Sequence, residues 1–354
     1  MSRPSRPPRP PRPRRTLTLY ISAIAVVLAV LVAERLPVPY VILGPGPTLN
    51  TLGKDQSGKP LITIAGRTTY PTSGHLNMVS ITYSGGPGHQ FNVFTALRAW
   101  LDPHEAVVPQ SEIFAPGQSQ QQVSQQDQVE MTSSQQSATA AALNQLHIAF
   151  QTVAGVVSVK QGYPAYGKLK AGDLITAVDG KAVTGTSQLT TLIKADAAKP
   201  ITVTVNRGGA TQHVQLTARV VGGKPILGVV VQDQYQFPFK VTIQIGQIGG
   251  PSAGMMFALG IIDKISAENL TDGRFIAGTG EITAAGAVQP IGGIQQKMIG
   301  ARDAGATVFL APAGNCSDVD GAIPQGLKVV KVSTLSGAVS ALDNLKAGRS
   351  VPSC

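Results

Sequence analysis

The chain has 354 residues, enough for two modest domains or one large one, each able to bury a core. Its composition is globular, 43% hydrophobic and 14% charged, with 39 glycines and 25 prolines that point to many turns and short strands. The net charge of +10 is concentrated: Arg3, Arg6, Arg9, Arg12, Arg14 and Arg15 leave only +4 for the remaining 339 residues, so the body carries no nucleic-acid signature.

Residues 1–15 read as a basic Pro/Arg-rich cytoplasmic arm. Behind it, "TLTLYISAIAVVLAVLVA" (Thr16 to Ala33) has no charged side chain. As a helix these residues span about 27 Å, near the hydrocarbon thickness of a bilayer. Positions 16–34 are therefore expected to form a transmembrane anchor. A cleaved signal peptide is the alternative, but its apolar core is shorter, and Leu31 would occupy the −3 site if Ala33 were −1. The arginines hold the N-terminus in the cytoplasm by the positive-inside rule, which puts everything after Glu34 outside the cell membrane, with a single pass.

Residues 35–130 read as a strand-rich extracytoplasmic region broken by Gly and Pro turns, with a helix at Asn92 to Leu101 that holds Trp100, the sole tryptophan. The stretch from Gly117 to Gln136 is Gln- and Ser-rich, which predicts a linker or a solvated helix rather than core. "SATAAALNQLHIAF" then resumes an apolar helical pattern.

From about Gly155 the pattern changes to strand VVSV, a Gly-Tyr-Pro-Ala turn, strand DLITAVDG, helix SQLTTLIKA and strand ITVTVNRGG. Residues 131–222 resemble a bacterial PDZ domain through Tyr163, Pro164, Ala165, Leu169, Gly172, Asp173, Ile175 and Val178-Asp179-Gly180. The resemblance implies a groove that adds an extended peptide as an extra strand. Leu146 to Phe150 is the candidate for its carboxylate-binding loop, a plain helix-to-strand connector being the other reading.

Gly250-Pro251-Ser252-Ala253-Gly254 fits G-x-S-x-G, and a serine nucleophile needs a base. The five histidines (His75, His89, His104, His147, His213) all precede Ser252, which excludes the Ser, acid, His order of an α/β-hydrolase. Among the five lysines that follow, Lys264 sits beside Asp263, Lys328 and Lys331 lie in a strand, and Lys346 is in a polar helix. Lys297 differs: helical spacing sets it on an apolar face with Ile294 and Ala301, and a desolvated lysine can serve as a base. A small packing residue in a Gly-xxx-Gly helix is the alternative for Ser252. "GPSAG" followed by "AGTGEITAAGAVQPIGGIQQKMIGARDAGATVFLAP" resembles the proteolytic domain of Lon proteases, a Ser-Lys dyad family, with T-G-E-I-T at Thr279 to Thr283 and P-I-G-G at Pro290 to Gly293. That resemblance implies Ser252 as nucleophile, Lys297 as general base and Thr279 as support for the lysine amine.

Two departures accompany it. No G-x-x-x-x-G-K-[ST] occurs in the chain, so ATP-driven unfolding is not expected, and "VTIQIGQIGG" lacks the His and acidic residues found before the serine in many full-length Lon enzymes. Cys316 and Cys354 are consistent with a disulfide tying the C-terminal tail, 347–354, to the loop "PAGNCSD", with two free thiols as the alternative. Neither has a CxxC or CxxH neighbour, and no metal or organic cofactor is expected.

The fold expected is α+β: a Lon-type proteolytic domain at 223–346, a β-rich PDZ domain, and one N-terminal transmembrane helix. The proteolytic domain is discontinuous if "LITIAGRTTYPTSGHLNMVSITY" supplies its first strands and the PDZ unit is inserted. The resemblance implies an ATP-independent, membrane-anchored serine endopeptidase acting on polypeptides, as unfolded segments or tails, with a peptide ligand in the PDZ groove and assembly into a homo-oligomer. The alternative is a catalytically silent PDZ scaffold at the membrane.

Overall fold

The computed structural model describes residues 14–55, 57–196, 199–246 and 248–354; the arm before position 14 lies outside them. The described residues form two compact units, 14–46 with 81–125 and 47–80 with 126–354.

In the first unit a single helix runs Arg14–Arg35. Its segment Leu17–Arg35 is long and apolar enough to cross a membrane, and none of it is buried by protein. Pro37–Val38 pairs antiparallel with Phe91–Asn92. The helix Val93–Leu101 follows at once, begun by Asn92, whose Oδ1 accepts from the Thr95 N–H at 2.9 Å. Tyr40 to Leu43 pairs antiparallel with Ala106–Pro109 over a small core of Val41, Leu43, Phe114 and Val123.

The second unit holds two cores. The larger one surrounds the helix Gly254–Ile265, eleven of whose twelve residues are buried, because its first nine residues, "GMMFALGII", are uncharged and apolar or small all round. Beside it lies a sheet in the order Lys328–Val332, Val308–Pro312, Phe275–Gly278, then 75–80 and 47–50. Phe275–Gly278 runs parallel to both His75–Gly85 and Val308–Pro312. Ile62–Ala65 also pairs with Lys240–Ile243, antiparallel. Strands on either side of the PDZ stretch thus share one core.

The smaller core draws on Ala154, Ile175, Leu189, Val203 and Leu216, under a sheet ordered Ala210–Thr217, Pro200–Arg207, Leu174–Val178, Gln151–Val159, Val229–Gln236. Buried Asp173 holds its corner. It accepts from Arg207 Nε and Nη2, both at 2.6 Å, and from the Lys170 N–H at 2.8 Å, and the guanidinium holds its carboxyl below the usual range.

The structure bears on three expectations. Of the two readings of the Gln- and Ser-rich stretch it takes the helix over the linker, within the 26-residue helix Gln120–Gln145, but that helix is not free of the core. Val123, Met131 and Ser134 are buried there, and Ala138, Ala141, Ala142 and Leu143 join the larger core. A helix that buries small residues while glutamines cover its other faces leaves little apolar signal in composition. Secondly, the smaller core begins at Ala154 and takes in Val229 and Val231 of the strand Val229–Gln236, past position 222. Thirdly, of the two readings of Leu146 to Phe150, the packing favours the connector. Leu146, Ile148 and Phe150 pack against the larger core, and the Ile148 N–H donates to Leu143 O at 2.8 Å.

Candidate active site

Ser252 sits in a turn, not in a helix. Pro251 and Ser252 precede Ala253, the N-cap of Gly254–Ile265, so Pro251 does not occupy the first helical turn as its sequence position suggests. Four contacts fix this turn. Gly250 N–H donates to Asp127 O at 3.1 Å, Ser134 Oγ to Pro251 O at 2.8 Å, Gly280 N–H to Ser252 O at 2.7 Å, and Met255 N–H to Gly280 O at 3.0 Å. Gly254 must be small: a Cβ there would lie 2.8 Å from Ile282 Cγ2 and 2.9 Å from Ser134 Oγ.

Lys297 comes from the helix Ile294–Asp303, which starts after Gly293 at φ 67, a left-handed conformation that glycine adopts without strain. Ile294, Lys297 and Ala301 are all buried, as their spacing predicts. The Lys297 amine lies 2.9 Å from Ser252 Oγ and 3.3 Å from Thr279 Oγ1. The residue is 2% exposed, and burial alone pushes its amine down to about 7.

Thr279 is fully buried just past the strand Phe275–Gly278, where its N–H donates to Leu310 O at 3.2 Å. Its hydroxyl proton goes to Ser252 O at 3.0 Å. The oxygen is therefore left as an acceptor toward Lys297. A neutral amine donating one hydrogen to Thr279 keeps its lone pair for the serine hydroxyl. Such an arrangement can take a proton from Ser252 and return it. Beside the turn a cleft of about 260 Å³ is bounded by Pro251, Ile282, Glu130, Glu281, Ser133 and Ser137.

The structure brings together Ser252, Lys297 and Thr279. Cys316 and Cys354 are bonded to each other, with Cα atoms 5.0 Å apart. Ser134 and the Gly280 N–H escaped the sequence reading: one is hidden in a Ser/Gln-rich stretch, and the other is a backbone group that the T-G-E-I-T motif carries without naming.

The fold and these motifs define a chain that carries a Lon-type proteolytic domain together with a PDZ domain. Residues 241–343 match the Lon protease (S16) C-terminal proteolytic domain, and residues 120–217 match the PDZ domain. Among relatives, Lon protease 1 of Sorangium cellulosum (strain So ce56) is 39% identical over 94 residues, 26% of this chain and 11% of that one. Lon protease 1 of Bacillus subtilis (strain 168) is 32% identical over 104 residues, 29% of this chain and 13% of that protein. The chain thus spans roughly a tenth of the length of these curated relatives. Among solved structures, the PDZ domain of an SdrC-like protein from Listeria innocua is 26% identical, covering 22% of this chain and 92% of that one, with a TM-score of 0.21.

Proposed function

We propose that this protein is an ATP-independent serine endopeptidase held at the cell membrane, with its catalytic and PDZ domains outside the cytoplasm. One observation carries the reading: a buried lysine amine, pushed down to about 7 by burial, lies 2.9 Å from the hydroxyl of Ser252. Ser252 is the nucleophile, Lys297 the general base and Thr279 the residue that orients the amine.

Ser252 Oγ attacks the scissile carbonyl carbon as its proton passes to Lys297 Nζ. The C–N bond then breaks, and the ammonium returns that proton to the leaving amine. Water repeats the sequence on the acyl-enzyme: its proton goes to Nζ, the ester C–O bond breaks, and Ser252 recovers its hydrogen. Gly254 and Met255 N–H are engaged by Pro251 O and Gly280 O, whereas the N–H of Ala253 has no acceptor among the described residues. It is the proposed donor to the oxyanion.

Substrates are already extended segments or tails, because the chain has no nucleotide-binding loop to drive unfolding. The PDZ unit supplies capture. Strand Val229–Gln236 ends its sheet, the helix Thr186–Ala195 lies alongside, and a tight turn at Gly228 (φ 79) leads into the strand. A peptide adding there as a further strand would extend the sheet by backbone hydrogen bonds.

The test is cleavage of unfolded casein by the full chain in detergent without ATP. Wild type is expected to cleave, whereas Ser252→Ala and Lys297→Ala, checked for folding by circular dichroism, are expected to be inactive. Equal cleavage by all three would overturn the dyad.

A further inference from the structure

We infer that the helix Val93–Leu101 is an interfacial helix that lies in the surface of the bilayer crossed by the anchor. The inference rests on the anchor reading proposed above.

Its sequence, "VFTALRAWL", inverts the usual rule for a surface helix. At 100° per residue, Val93, Phe94, Leu97, Trp100 and Leu101 fall in one stripe about 120° wide. All five are exposed, Trp100 at 71% and Leu101 at 70%, while the small Ala99 on the opposite side is fully buried. A helix facing only water would gain by turning the stripe inward, since removing large apolar side chains from water is favourable in proportion to the area buried. Here the body of the unit takes Ala99 and presents Trp100 and Leu101 outward.

The occupant follows from chain connectivity. The anchor helix ends at Arg35, Pro37–Val38 pairs with Phe91–Asn92, and the next residue, Val93, opens this helix. Two strand residues and one inter-strand spacing place its start within about 10 Å of the anchor's end. The two helices also pack against each other. Where Leu17–Arg35 spans a membrane, the exposed stripe begins at the lipid headgroups. Leu36 and Tyr40, close in sequence to that junction, are exposed as well. Trp and Tyr are favoured at that level, and a stripe of this kind sinks about 5–10 Å into the headgroup and acyl boundary. Burial there replaces water around the aromatic and aliphatic side chains without requiring any charge.

Trp100 is the chain's only tryptophan, so its emission reports on this helix alone. The full chain is reconstituted in phosphatidylcholine vesicles containing lipid brominated near the headgroup end of the acyl chains, and in matched vesicles with bromines near the methyl ends. The inference expects floating of protein with vesicles, blue-shifted emission, and about two-fold or greater quenching by the shallow bromines, with much less by the deep ones. The variant Leu97→Ser/Leu101→Ser is expected to float equally and lose most of that quenching. Floating protein whose Trp100 is untouched by either bromolipid overturns the inference while leaving the anchor intact; a stripe covered by a second copy of the chain would give that result. Quenching unchanged in the double variant also overturns it. Failure of the wild-type chain to float overturns the anchor reading, and this inference falls with it.

Discussion

Lys297 Nζ lies 2.9 Å from Ser252 Oγ across 45 residues of chain. The pair is assembled by two elements that meet at Thr279: the half-buried turn before one helix and the buried first turns of another.

The amine's position on the pH scale gives the first prediction. Burial pushes Lys297 down to about 7 from an ordinary value of 10.5, so the neutral, proton-accepting form dominates only above pH 7. Activity measured as kcat/KM should rise about tenfold per pH unit below 7 and level off above it. The same shift bears on folding. Between about 7 and 10.5 the unfolded chain binds the proton that the folded one releases, so this residue makes stability rise with pH through that window. In Lys297→Met that contribution should vanish from urea midpoints measured across the range.

Thr279 is predicted to act by position. Replacing it with Val removes one of the two partners of the Lys297 amine and one of the two donors to Ser252 O, at about 0.5–1.5 kcal/mol per bond lost. Thr279→Val should lower kcat by roughly ten- to hundredfold with KM little changed, and Thr279→Ser should restore most of it. A Val variant with wild-type kcat would remove Thr279 from the site.

Much of this site was legible in the chain. Motif order joined Ser252 to Lys297, and the Ile294, Lys297, Ala301 spacing predicted an inward-facing lysine that is indeed buried. The helix Gln120–Gln145 was not legible. Its contacts to the serine turn run through Ser134 Oγ and the backbone of Asp127, and its glutamines resemble those of a linker. Nor could composition reveal that Val229–Gln236 closes the smaller sheet, because partner choice among strands is set by long-range pairing that no local pattern encodes.

Close approach at Gly254 gives a stability prediction. A methyl group there would press on Ile282 and Ser134 within 3 Å, so Gly254→Ala should cost about 1–3 kcal/mol, read as a lower urea midpoint. Activity should fall too, since the same contact sets the turn that carries Ser252.

The Cys316 to Cys354 bond closes a loop with a sequence separation of 38 residues. The tail is also held by the Lys331 N–H donating to Pro352 O at 3.0 Å. Chain entropy puts such a closure at about 4 kcal/mol as an upper figure. Cys354→Ser should lower the Tm by several degrees while leaving the rate of peptide cleavage at 25 °C near wild type. A loss of activity without a loss of Tm would mean that the bond serves the site instead.

Covalent trapping tests whether Lys297 activates Ser252. The full chain is treated with a serine-reactive fluorophosphonate between pH 5.5 and 9, and the adduct is mapped by peptide mass spectrometry. A single adduct on Ser252 is predicted, forming at a rate that rises through about pH 7 and falling at least about a hundredfold in Lys297→Met. An adduct elsewhere, or a Ser252 adduct whose rate is indifferent to pH and to Lys297→Met, would contradict the dyad.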